Sequence, residues 1–123
     1  MWMLFISTRN YISGEVFVYN ESTGNFDLYY HLAGKDITLS CLHLDEKKNL
    51  WMGTTSNGLY CLSGDKKISQ PVTRGNIASI YEDSSKELWI CTWEEGLYRI
   101  KTDSTIENFR HDPKNPNSIC TDF

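Results

Sequence analysis

The chain has 123 residues, with 12 Lys and Arg against 16 Asp and Glu, for a net charge of −4. Hydrophobic residues make up 40% and aromatic residues 13%, the proportions of a folded globular chain and not of a disordered tail. A mildly acidic sequence without a Lys/Arg cluster argues against nucleic acid or an anionic membrane as partner.

The predicted elements are short strands. Leu4 to Thr8 reads as the first, and Val16-Phe17-Val18 after Gly14 as the second. Leu39–Leu44 is an apolar run ending at Asp45, followed by a polar turn over Glu46 to Asn49. Leu50–Thr54 is a strand, Thr55 to Gly58 a turn carrying the hairpin signal Asn57-Gly58, and Gly58 to Leu62 a strand. Ser63-Gly64-Asp65 turns again into Lys67 to Val72, an outer strand that contains Pro71. The same order returns over Ile77–Glu82, Leu88–Thr92, Leu97–Ile100 and Thr105 to Arg110. No stretch carries helical periodicity. No apolar run approaches the roughly 20 residues of a membrane helix, so no direct membrane insertion is expected. Met1 to Ile6 is apolar but lacks a basic flank and a small-residue cleavage site, so it does not read as a signal peptide.

Thr38 to Leu62 and Asn76 to Ile100 align without a gap at an offset of 38 residues, from Trp51 to Trp89. Identical pairs include Asp45/Asp83, Trp51/Trp89, Thr54/Thr92, Gly58/Gly96, Leu59/Leu97 and Tyr60/Tyr98. A degraded third copy places Leu4 to Thr8 against Leu50 to Thr54 and Gly14 against Gly58, with Phe5 in place of the Trp. Four short antiparallel strands repeating at this period predict β-propeller blades. Each blade covers its neighbour, so both faces of a strand can be apolar. The expected class is all-β, a partial propeller of about three four-stranded antiparallel blades. An incomplete first blade over 1–36 precedes blades over 37–74 and 75–111, and 112–123 is a linker to a missing blade.

Asp45 and Asp83 close the innermost strands. A metal reading lacks the alternating-acid spacing of calcium loops, so a turn acceptor for backbone N–H groups is expected. Trp51 and Trp89 recur in one register, which predicts burial between blades, since a binding site needs no copy in each blade. Cys41, Cys61, Cys91 and Cys120 form no C-x-x-C motif and read as small buried hydrophobes. The histidines His31, His43 and His111 have no metal-ligand spacing. Glu94 and Glu95 are neighbours in one turn, whereas glycosidase carboxylates flank a bond roughly 5 to 9.5 Å across. No catalytic constellation, cofactor or metal is expected.

The run of Ile77, Ile80, Asp83, Leu88-Trp89-Ile90, Thr92 and Gly96-Leu97-Tyr98-Arg99 resembles the two-component regulator propeller repeat. The segment Phe109 to Ser118, with its Asn115-Pro116-Asn117-Ser118 element, resembles that family's connection between blades. Cys91 stands where the family carries Gly, which Gly53 keeps. The resemblance implies the extracytoplasmic sensor region of a hybrid two-component regulator of the Bacteroides type, where many members sense oligosaccharides. It implies a periplasmic location on a membrane-anchored parent, with any histidine kinase elsewhere.

Turns between second and third strands share one end of the blades with the blade-to-blade connections. That face comprises Leu32 to Asp36, Thr55 to Asn57, Arg74 to Asn76, Trp93 to Glu95 and Asp112 to Ser118. Loops on a rigid scaffold are free to vary and carry function. Trp93, Glu94, Asn57, Asn76 and Asn115 are therefore the candidate ligand contacts, for an oligosaccharide, another small ligand or a partner. Two alternatives come from other classes: a fragment of a carbohydrate-active propeller enzyme, and a protein-interaction scaffold. Three blades do not close a ring, so packing against further blades or self-association is also expected.

Overall fold

The computed structural model describes residues 4–6, 14–32 and 37–119. Ser7 and Thr8 of the degraded copy, the connection over 33–36, residues 120–123 with Cys120, and the side chain of Phe5 lie outside the described residues.

Among the described residues there are eleven strands and no helix. They are β1 (Leu4–Ile6), β2 (Glu15–Asn20), β3 (Asn25–His31), β4 (Leu39–Leu44), β5 (Leu50–Thr54), β6 (Leu59–Leu62), β7 (Ile68–Val72), β8 (Ile77–Glu82), β9 (Leu88–Thr92), β10 (Leu97–Ile100) and β11 (Ile106–Phe109). They form three antiparallel sheets in chain order, β1-β2-β3, β4-β5-β6-β7 and β8-β9-β10-β11. This is the all-β blade architecture that the repeat predicts. Pro71 is accommodated because β7 is an edge strand, where a missing N–H breaks no inner ladder bond.

The three inner strands of the second and third sheets share one register, whereas the outer pair is irregular between Leu59 and Cys61 in the second and continuous in the third. His43 faces Trp51 across β4 and β5, and Tyr81 faces Trp89 across β8 and β9. Both inner pairs carry an irregularity after their first residue, between Leu39 and Cys41 and between Ile77 and Ser79. Where β5 turns into β6, Gly58 has φ +79°, and a Cβ there would land on the Val72 carbonyl oxygen. Gly96 repeats both conditions, with φ +80° and the Phe109 carbonyl. Only glycine meets them, which accounts for its return in register.

Two apolar layers lie between the sheets. Val16, Leu32, Ile37, Leu39, Leu50, Met52 and Leu62 join the first sheet to the second. Trp51, Leu59, Cys61 and Val72 of the second sheet meet Ile77, Leu88, Ile90 and Ile100 of the third. Odd and even positions of β5 thus serve different neighbours, and all five of its residues are buried. Ile6, cross-strand partner of Val16, packs into the layer that faces the second sheet. Met52 faces back into that same layer from the other side.

The expectation for the second tryptophan is corrected. Trp51 is buried between two sheets, whereas Trp89 is only half-buried. Its side of the third sheet faces no further sheet among the described residues. There it stacks on Phe109 with ring centroids 5.9 Å apart, and the Arg99 guanidinium lies 5.2 Å from its ring centre.

Candidate functional site

The end of the sheets that carries the β5–β6 and β9–β10 loops is built by a repeated polar device. The Thr54 hydroxyl is fully buried; it donates to the Gly58 carbonyl at 2.8 Å and accepts the Asn57 N–H at 2.8 Å. Thr92 does the same, donating to the Gly96 carbonyl at 2.7 Å and accepting the Glu95 N–H at 2.9 Å. One hydroxyl therefore satisfies both ends of a turn that would otherwise bury unpaired backbone groups. The identity of Thr54 and Thr92 in the repeat was the signal for this role.

Each loop is then laced to the connection that follows its sheet or precedes the next. The Gly58 N–H donates to the Gly75 carbonyl at 3.0 Å, and Asn57 and Gly75 form a parallel bridge. The Gln70 side-chain amide donates to the Asn57 carbonyl. The Trp93 N–H donates to the Asn76 carbonyl at 3.0 Å. Glu95 is held between two arginines, Arg110 at 3.1 Å and Arg74 at 3.8 Å. Arg110 also donates to the Glu94 carbonyl at 3.1 Å, and the Asn108 amide to the Glu95 carbonyl at 2.9 Å.

Of the five candidate contacts, Asn57, Asn76, Trp93 and Glu94 are drawn together by this lacing. Asn57 and Asn76 are half-buried, Glu94 is exposed, and the Trp93 side chain stands 56% exposed. Asn115 sits in its own turn, where its side-chain oxygen accepts the Asn117 N–H at 3.0 Å and its N–H donates to the Asp112 carbonyl at 3.0 Å. Sequence reasoning put Arg74 on this face but missed the role of Arg74 and Arg110 as clamps on Glu95. Nothing local marks them, because the pairing with Glu95 spans 21 and 15 residues of chain (95 − 74 and 110 − 95).

At the opposite end the two repeated aspartates do one job twice. Asp45 Oδ1 accepts the N–H groups of Lys47 and Asn49 at 2.9 and 2.8 Å. Its Oδ2 accepts the Asn49 amide and the Trp51 indole N–H, both at 3.0 Å. Asp83 accepts the N–H groups of Ser85 and Glu87, and the Trp89 indole at 2.9 Å. The indole of Trp89 and the Glu87 N–H hold the Asp83 carboxyl below its ordinary range. With their lone pairs so engaged, these acids act as turn acceptors that also anchor the tryptophans. Among the described residues, no group of three or more His, Cys, Asp and Glu is placed to hold a metal ion. Cys41, Cys61 and Cys91 are free thiols. Burial, and then the nearby Asp45 charge, push Cys61 up to about 11, so it stays a neutral packing group. No helix among the described residues is long and apolar enough to cross a membrane.

Residues 72–94 match the family model described as two component regulator propeller. That stretch runs from the end of the second sheet through the Asp83–Trp89 unit and the exposed Trp93 to Glu94. No curated protein matches the chain. Among solved structures, it is similar to the extracellular domain of BT4673 from B. thetaiotaomicron, assigned to the hybrid two component systems. The identity is 22% and the TM-score 0.66, over 88% of this chain and 16% of that one. The extracellular domain of BT3049, a protein of the same assignment and organism, is matched at 21% identity and TM-score 0.61, over 88% and 15%. PorZ, a surface component of the type-IX secretion system of Porphyromonas gingivalis, is matched at 18% and 0.63, over 94% and 20%. The chain thus spans no more than a fifth of the length of these structures. The likeness establishes the propeller-type fold, and the chain resembles a segment of these extracellular domains.

Proposed function

We propose that this chain is a segment of the extracytoplasmic sensor propeller of a hybrid two-component regulator. It supplies part of a loop face that binds a ligand for signal input, and it carries no catalysis of its own. The blade boundaries we adopt are 1–36, 37–74 and 75–111, with 112–123 leading to a further blade, and the location is periplasmic.

One observation carries the ligand face: Trp93 is exposed on a loop that is otherwise fully tied down. Its own N–H is bonded to Asn76, and the next two residues are clamped by Arg74, Arg110 and Asn108. A large aromatic on a backbone held in this way brings less loop entropy to lose on binding and offers a flat apolar face, the arrangement that stacks on sugar rings. Asn57 and Asn76 beside it supply hydrogen-bonding groups. An oligosaccharide is the ligand class that fits an aromatic platform with neutral polar neighbours.

The test is a thermal-shift and glycan-array screen of the intact parent protein, alongside its Trp93→Ala variant. A bound oligosaccharide whose affinity falls at least about tenfold in the variant supports the reading. Undiminished glycan binding in the variant removes Trp93 from the site. Turnover of the glycan would favour the enzyme alternative.

A further inference from the structure

A cleft opens at the other end of the sheets, on the side of the Asp45 turn. It has a volume of about 320 Å³ and is lined by Tyr29, Leu44, Lys48, Gly64 and Lys66. Tyr29 comes from β3 of the first sheet; the rest come from the second sheet, at the end of β4 and in its two turns on this side. The cleft therefore sits at the junction of two sheets, and its size is at the lower end of small-molecule sites.

Its charge is the unusual feature. The two turns hold three acids, and each has its own partner. Asp45 is taken by the Trp51 indole and by backbone N–H groups. Glu46 pairs with Lys86 across the sheet junction at 2.8 Å. Asp65 is held by the Ser63 hydroxyl and lies 3.7 Å from Lys67. Lys48 and Lys66 make no ion pair among the described residues, and no acid lines the cleft. Lys66 is also fixed in place, with its ammonium 3.8 Å from the centre of the Tyr29 ring. A cation–π contact of that length orders a side chain that would otherwise pay rotamer entropy on binding. Leu44 and the body of Tyr29 supply apolar wall to the same cleft.

We propose that this cleft binds a small organic anion, with its carboxylate between Lys48 and Lys66 and its apolar part against Leu44 and Tyr29. Tyr29 acts as a positioning residue for Lys66. The site is separate from the Trp93 loops, which lie at the opposite end of the sheets, so either reading can fail without the other.

The experiment is a titration of the full chain followed by amide NMR shifts. Benzoate is the probe, benzyl alcohol its neutral counterpart, and inorganic sulfate the anion without an apolar part. Saturable shifts with benzoate, confined to residues around Tyr29, Leu44, Lys48, Gly64 and Lys66, are expected, with little response to benzyl alcohol. The Lys48→Gln/Lys66→Gln double variant, with a native-like spectrum, should bind benzoate at least about tenfold more weakly. Tyr29→Ala should weaken it several-fold although both charges remain. Lys66→Arg should retain binding. Absence of saturable shifts, shifts scattered over the surface, or equal binding by the double variant would overturn the proposal. Sulfate binding as tightly as benzoate would overturn the apolar part and leave an adventitious ion only.

Discussion

At the scale of single residues, the aspartate–tryptophan unit is the most loaded position. Asp45 satisfies two backbone N–H groups, one side-chain amide and the indole of a buried tryptophan. Asp45→Ala removes every acceptor at once and strands the Trp51 N–H between two sheets. A loss of about 3 kcal/mol is expected from the charge-assisted bonds and the orphaned donor. Asp45→Asn keeps one oxygen and should cost about half of that. Urea denaturation of the two variants checks both size and order. Asp83 carries a pH consequence. Its folded-state carboxyl lies below its ordinary range because the Trp89 indole and the Glu87 N–H favour the charged form. Stability from such a group is fully present above the unfolded value of about 3.9 and is lost as pH falls through the lower folded value. The melting temperature of the chain should therefore drop as pH falls below about 4. In Asp83→Asn that part of the fall should be missing, with a lower starting stability at neutral pH. An unchanged acid limb in the variant would contradict the assignment.

At the scale of elements, the close pairing of β5 with the third sheet sets a tight limit at Gly53. A Cβ there would meet Cys41 Sγ at 2.5 Å and the Ile77 side chain at 2.7 and 2.9 Å. Ile77 is itself fully buried and cannot retreat. Gly53→Ala should thus destabilise by about 2 kcal/mol through overpacking. Cys91 occupies the same place in β9 and is only half-buried, because no sheet presses on that side of β9 among the described residues. Cys91→Ala should change stability by no more than about 0.5 kcal/mol. Thermal melts of the two variants side by side distinguish a junction effect from an effect of the strand alone. The departure of Cys91 from the glycine of the repeat is then a statement about its neighbour, and not about the turn it precedes.

At the scale of the whole molecule, the second and third sheets share a buried apolar layer, while the outer side of the third sheet is left with a mixed one. Trp89, Phe109 and Leu97 remain half-buried, and the Arg99 Nε is buried without a partner among the described residues. Arg99 stands where the second sheet has Cys61, and it pairs with Glu107 at 2.6 Å. On the first sheet, Phe26 and Leu28 are 55% and 57% exposed on the edge strand β3. Apolar surface of this kind, together with open sheet edges, favours association. The isolated chain is expected to sediment as a dimer or larger species at micromolar concentration. Trp89→Lys should shift it toward monomer, by placing a charge on the face that would pack. A wild-type chain that sediments as a monomer across that range would contradict this reading.

How much of this was legible beforehand depends on the range of the interaction that decides each feature. Strand order, turn positions and the blade class follow from residues a few places apart. Asp45, Trp51, Thr54 and Gly58 act on groups within about one turn or strand, so their repetition at 83, 89, 92 and 96 announces the same local geometry twice. The candidate loop face was legible for the same reason, since strand alternation alone assigns each turn to an end of the sheet. Three other features depended on partners far along the chain. The exposure of Trp89 is set by what covers its sheet, and not by its register. The clamp on Glu95 joins residues from two connections. The Lys48–Lys66 cleft exists only because Tyr29 of the first sheet is folded against the turns of the second. Local sequence determines which groups a strand or turn can offer, while the packing of one sheet on the next decides which of them are buried, paired or left facing solvent.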